Sequence, residues 1–204
     1  MSSTARPQRV LTSSDDDLRE VREEELATLE VPVLSDRAQQ IVEVGLELLE
    51  EDGPEGVSMR LVAARLGVRA PSLYKHLPGK QAMENAMIAI GLRRQGAACE
   101  QGMREHEDDP LWGVVTAFRR WALDHPHLYE LMMAQPLDPG PLVRSAELTA
   151  GRAIREVMDG DVVGALTMWS FGHGLVALEL NGRLPPGADV EQLWRRGTDA
   201  LRPR

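Results

Sequence analysis

The chain has a single cysteine, Cys99, in 204 residues. An internal disulfide is excluded, and a reducing, cytoplasmic setting is expected. Long apolar runs are scarce too: no stretch of about 18 apolar residues suggests a bilayer span. The polar start, Met1 to Arg6, leads into acidic residues without the apolar stretch of a secretory signal. Alternating apolar and polar residues, the mark of a half-buried strand, are missing, and no segment repeats. A glycine-rich phosphate loop, a nucleophile elbow and a His-Glu-x-x-His motif are all absent. No cofactor and no catalytic constellation is therefore expected. His125-x-His127 with Glu130 has a loose metal-ligand look, but Pro126 breaks the helix between the two histidines, so no metal site is expected either.

Acidic residues are also missing from one place where their absence matters. Between Val57 and Lys80 there is no Asp or Glu, but there are Arg60, Arg65, Arg69, Lys75 and Lys80. That segment carries +5, which leaves −14 on the rest of a chain whose net charge is −9. A basic island on an acidic body is what a phosphate-facing surface requires.

What is abundant is helical periodicity. Hydrophobic residues make up 43% and charged residues 27%, enough for an ordinary globular core without disulfides. Residues 1–34 read as an acidic extension, with a disordered start and a marginal helix on Leu18, Val21, Leu26 and Leu29. From Ser35 the pattern firms up, and Ala38, Ile41, Gly45, Leu48 and Leu49 form an inner stripe ended by Asp52-Gly53-Pro54. Ser58 caps a short helix that Gly67 ends. Ala70-Pro71-Ser72 opens another, which Pro78-Gly79 closes after two turns. A long helix follows from Lys80 to about Arg104. The remainder reads as helices over 111–123, 128–133, 141–158, 161–180 and 189–201. The segment 161–180 is nearly apolar on all sides and is expected to be buried all round. The class is all-α with about nine helices.

The two short helices around Gly67 form a helix-turn-helix. Ala63 allows a close crossing, Gly67 makes the sharp turn, and Val68 and Leu73 fill the inside corner. The first turn of the second helix is thereby presented to a major groove. Its outward residues are Arg69, Ala70, Pro71, Ser72, Lys75 and His76, while Arg65 points away and reads as a surface charge.

The stretch Arg37 to Met83 resembles the DNA-binding domain of the TetR family. The matching features are Ser58, Val62-Ala63, Gly67-Val68, and Leu73-Tyr74-Lys75-His76 followed by Lys80. The resemblance implies that Tyr74, His76 and Lys80 bind backbone phosphates, with help from Ser58 and Arg60. It also implies that Arg69, Ala70, Pro71, Ser72 and Lys75 lie near base edges. Gly45, where the family usually carries Ala, should weaken its helix by roughly 1 kcal/mol. Leu77 replaces the usual Phe. These expectations divide the chain into an extension (1–34), a helix-turn-helix headpiece (35–80) and a ligand-binding and dimerisation domain (81–204).

In the body, Trp112, Phe118, Trp121, Tyr129, Met132, Met133, Trp169 and His173 are candidates to line an adaptable apolar cavity. Plain core packing is the alternative for each. His173, on an otherwise apolar helix, needs either a protein partner or a ligand. Trp169-Ser170-Phe171-Gly172-His173-Gly174 resembles the Trp-His-Gly signature of one TetR subgroup. The resemblance further implies a homodimer joined through the last two helices, double-stranded operator DNA as partner, and a small apolar or amphipathic effector. The rival readings are a helical carrier or enzyme with a structural N-terminal hairpin, and an interaction scaffold without a pocket.

Overall fold

The computed structural model describes residues 29–134, 136, 138 and 140–203. The expected disordered start and marginal helix of the extension lie outside the described residues, except that 29–34 are non-helical. Among the described residues the chain is all-α, with ten α-helices and no strand. They are α1 (Asp36–Asp52), α2 (Met59–Arg65), α3 (Ala70–Leu73), α4 (Lys80–Glu105), α5 (Pro110–Asp124), α6 (Pro126–Met133), α7 (Pro141–Ala150), α8 (Arg152–Val157), α9 (Val162–Leu180) and α10 (Val190–Ala200).

Local chemistry sets the boundaries. The Ser35, Ser58, Asp109, Asp161 and Asp189 side chains each accept a backbone N–H at the start of a helix, satisfying donors that the helix itself cannot. Proline opens α5, α6 and α7, where its missing N–H costs nothing. Gly53 ends α1 at φ 72°.

The headpiece, α1 to α3, is held by Ile41, Val42, Leu49, Val62, Leu73 and Leu77, all buried. A Cβ at Gly45 would lie 3.1 Å from Met87 Sδ and 3.4 Å from Met83 Sδ. The missing methyl therefore brings α1 close to two methionines of α4. α4 has 26 residues, about 39 Å, and runs out of the headpiece through the body. Its main partners are α5 and α7. At the α4–α5 crossing Gly102 faces Gly113, and a Cβ on either would collide with the other's carbonyl oxygen. At the α4–α7 crossing a Cβ on Gly96 would sit 2.8 Å from Ala150 Cα.

Three expectations are corrected. The single helix expected over 141–158 is broken at Gly151, and Arg155 Nη2 donates to the Leu148 carbonyl at 2.6 Å across the break. The segment 161–180 is not buried all round. In α9 only Val162, Ala165, Met168, Gly172 and Val176 are buried, while Val163, Leu166, Trp169 and Leu178 are exposed. No bilayer span is expected from the sequence, yet α9 is long and apolar enough to be one by length and composition. Its Glu179 is nonetheless tied into the helical body, accepting from Arg119 and from Trp194 Nε1.

Candidate nucleic-acid interface and adjoining cavity

The turn between α2 and α3 is built from backbone. Gly67 takes φ 67°, and the Val68 N–H donates to the Ala63 carbonyl at 2.9 Å. α3 holds four residues of regular helix, fewer than the two turns expected. The Leu77 N–H donates back to the Leu73 carbonyl at 3.0 Å, so the chain stays coiled to the next turn.

The anchors Val62, Ala63, Leu73 and Leu77 face inward. Arg60, Arg69, Pro71, Ser72, Lys75 and His76 are exposed, and Tyr74 is 53% exposed. Lys80 is exposed with only a 3.4 Å ion pair to Glu84 beside it, a weak hold for a solvated amine. Two of the candidates do more than face solvent. Ser58 Oγ accepts the Leu61 N–H at 3.3 Å as the cap of α2, and its own hydrogen remains available to a phosphate. Ser72 Oγ donates to the Arg69 carbonyl at 2.8 Å. Ala70 is half-buried against the core, which leaves it less reach than its neighbours. Arg65 forms a bidentate pair with Glu51 at 2.7 and 3.3 Å, tying α2 to α1, and this lowers the Glu51 pKa.

The body holds a cavity of about 260 Å³ between α4, α5, α6, α7, α8, α9 and α10. Of the eight candidates, Phe118, Met132, Met133, Trp169 and His173 line it. Trp112, Trp121 and Tyr129 do not. Trp112 lies on an outer groove, with the Arg195 guanidinium 4.8 Å over its ring. Trp121 is buried beside His125, their ring centroids 5.2 Å apart. Tyr129 stands behind His173, its hydroxyl 2.7 Å from Nδ1.

His173 thus has both the partner and the cavity position that its sequence context left open. Phe118, Tyr129 and Trp169 surround its ring. Burial pulls its pKa down to about 4 and pushes the Tyr129 hydroxyl up to about 12, so both groups are neutral at pH 7. If the hydroxyl donates to Nδ1, the ring proton sits on Nε2.

Sequence reasoning missed Leu92, Gln95 and Cys99 on α4, Arg144 and Glu147 on α7, and Trp194 on α10, all of which line the cavity. Gln95 is 8% exposed, and its amide nitrogen has no hydrogen-bond partner. A buried donor left unpaired costs about 1–3 kcal/mol. The histidines with the metal-ligand look have other engagements: His127 Nδ1 donates to the Leu49 carbonyl at 2.9 Å, and His125 Nδ1 is 3.5 Å from Glu50. Both reach the end of α1 from the start of α6, His125 as its N-cap residue.

A helix-turn-helix exposed on an acidic helical body, with an apolar cavity in that body, defines a DNA-binding regulator of transcription. Residues 41–87 match the family model described as bacterial regulatory proteins, tetR family. Residues 111–201 match the tetracyclin repressor-like C-terminal domain. The chain belongs to the TetR family of transcriptional regulators. It is 29% identical over 159 residues to an uncharacterized HTH-type transcriptional regulator of Mycobacterium tuberculosis, covering 71% of this chain and 70% of that one. It is 29% identical over 142 residues to an HTH-type transcriptional repressor of Streptomyces coeruleorubidus, covering 62% of this chain and 51% of that one. The chain therefore spans only about half the length of the second relative. Its fold is that of a TetR family transcription regulator from Marinobacter aquaeolei VT8 (TM-score 0.61, 17% identity, 82% of this chain and 96% of that one). These matches identify the family and do not reach the finer Trp-His-Gly subgroup.

Proposed function

We propose that this chain is a ligand-responsive repressor. It acts as a cytoplasmic homodimer on a roughly palindromic operator and is released by a small apolar or amphipathic effector. The observation that carries the reading is the exposure of Tyr74, His76 and Lys80 together on the acid-free stretch 57–80 of the headpiece. In this reading those three bind phosphates, Ser58 and Arg60 assist at the start of α2, and Arg69, Pro71, Ser72 and Lys75 approach base edges. Phosphate contacts set register and affinity, and base contacts set sequence. Ala70 supports the turn and offers at most a methyl contact. The Streptomyces relative is named a repressor, which favours repression over activation.

The same helix joins the two sites. α4 begins at Lys80, beside the proposed phosphates, and its Leu92, Gln95 and Cys99 line the cavity. α6 gives a second link: Met132 and Met133 line the cavity, and His127 holds the end of α1. An effector that moves α4 or α6 changes the tilt of the headpiece. For a large shift in occupancy it must prefer the mis-spaced state by about 5.5 kcal/mol. The exposed apolar face of α9 (Val163, Leu166, Trp169, Leu178) and Leu193 of α10 would be covered by a second copy. Two headpieces then meet half-sites about 34–36 Å apart.

Selection of bound sequences from random DNA tests this directly, and two inverted half-sites are expected. On the selected site, Tyr74→Phe with Lys80→Ala should weaken a gel shift several-fold or more. Unchanged affinity in the double variant would refute the docking, and retention of no sequence would refute the regulator reading.

A further inference from the structure

The cavity contains one polar feature that the protein does not satisfy. Gln95 projects from the stripe of α4 that also carries Leu92 and Cys99, is more than nine-tenths buried, and has an unpartnered amide nitrogen. The charged lining groups are engaged with the protein. Arg144 Nη1 is 2.9 Å from Glu147 Oε2, and Arg155 Nη2 donates to the Leu148 carbonyl. His173 and Cys99 are held neutral by burial. The rest of the lining is mainly apolar: Leu92, Val114, Phe118, Met132, Ala165 and Met168 among others.

Resting on the effector-responsive reading above, we propose that the cavity takes an uncharged, mainly apolar small molecule whose carbonyl oxygen accepts the Gln95 amide once that amide turns its buried nitrogen toward the cavity. A formal charge on the ligand would have to be desolvated in a mainly apolar site, since Arg144 is paired with Glu147 and Arg155 is hydrogen-bonded to the Leu148 carbonyl. A pure hydrocarbon would leave the Gln95 donor unpaired. A site built around a buried donor discriminates against the isostere that lacks the acceptor. Gln95 also lies on the helix that leads to Lys80, so the bond would form on the element that carries the headpiece.

Three isosteric probes test this on the full chain: 2-acetylnaphthalene, 2-isopropylnaphthalene and 2-naphthoate. Binding is read by quenching of the indole fluorescence, since Trp169 and Trp194 line the cavity. The comparison is the ratio of ketone to hydrocarbon dissociation constants in the wild type against Gln95→Leu, with Gln95→Met as the second apolar variant. This double difference cancels the hydrophobicity of the probes. The ratio should shift toward the hydrocarbon by about five- to tenfold in both variants, the worth of one neutral hydrogen bond. The naphthoate should bind most weakly of the three to the wild type.

An unchanged ratio would overturn the proposal and would mean that water serves Gln95. Tightest binding by the naphthoate, or no binding by any probe, would overturn it as well. DNA binding is measured on the same wild-type preparation. Its absence would refute the regulator reading alone, and its presence with an unchanged ratio would refute the Gln95 assignment alone.

Discussion

Removing the Glu179 carboxylate should cost more stability than truncating any exposed acid in the chain. Its side chain is 10% exposed and meets three donors: Arg119 Nε at 3.0 Å, Arg119 Nη2 at 2.7 Å and Trp194 Nε1 at 2.6 Å. One carboxylate thus ties α9 to both α5 and α10. Breaking a buried pair by deleting one partner costs about 3–5 kcal/mol. Arg119 is 29% exposed and can recruit water, so its share is discounted to about 2 kcal/mol. Trp194 is 1% exposed, and its stranded N–H adds about 1 kcal/mol. For Glu179→Ala the sum is roughly 3 kcal/mol, or a fall in Tm of about 6–12 °C for a chain of this size. Glu179→Gln keeps an acceptor and should lose about half as much. Arg119→Met with Glu179→Leu removes both charges and should recover most of the loss. Thermal unfolding by circular dichroism, at one fixed protein concentration because dimerisation would shift Tm, measures all three. A Glu179→Ala protein within about 2 °C of wild type would refute the reasoning.

Other perturbations test other parts of the molecule. Gly102→Ala would drive a methyl into the Gly113 carbonyl oxygen and to 2.6 Å from Ala117 Cβ. It should destabilise by about 2–4 kcal/mol despite the better helix propensity of Ala, and a raised urea midpoint would contradict that crossing. His173 binds its proton less readily when folded, with a pKa near 4 against an ordinary 6.5. Its contribution is complete above pH 6.5 and is lost as pH falls toward 4, amounting to about 2–3 kcal/mol. Urea titrations at pH 7 and 4.5 should therefore differ less in His173→Gln than in wild type, and an equal difference would exclude His173 as the source. Arg60 and Lys80 give two phosphate-facing cations per headpiece in the proposed docking. For a dimer they should contribute about −3.6 to the slope of log affinity on log salt, and Lys80→Ala should flatten it by about 1.8. A slope unaltered by that substitution would remove Lys80 from the interface.

Legibility in the sequence followed the range of the forces involved. The headpiece could be read because its signals act within a few residues: Ser58 caps its own helix, Gly67 turns its own corner, and Pro78-Gly79 ends the segment it belongs to. The break at Gly151 could not. A lone glycine inside a helical pattern is often tolerated, and what exploits this one is Arg155, which reaches back to the Leu148 carbonyl. The one-sided burial of α9 escapes the sequence for a different reason. Periodicity reports only that all faces are apolar, whereas the structure covers one side and leaves Val163, Leu166 and Trp169 to whatever packs there.

The cavity shows the same limit from the inside. Large residues were legible as candidates, but which of them meet depends on where helices cross, and the crossings are set by Gly96 against Ala150 and by Gly102 against Gly113. Those contacts swing Trp112 to an outer groove and bring α4 and α7 to the cavity wall. A usable signal was nonetheless present in α4. Its buried stripe runs Ile88, Leu92, Gln95, Cys99, Gly102 at spacings of four, three, four and three. A single amide set in such a stripe must find a partner or wait for one. In a helix that links a DNA headpiece to a pocket, that amide marks where ligand chemistry enters the fold, and large hydrophobic side chains, which serve cores and pockets alike, cannot mark it.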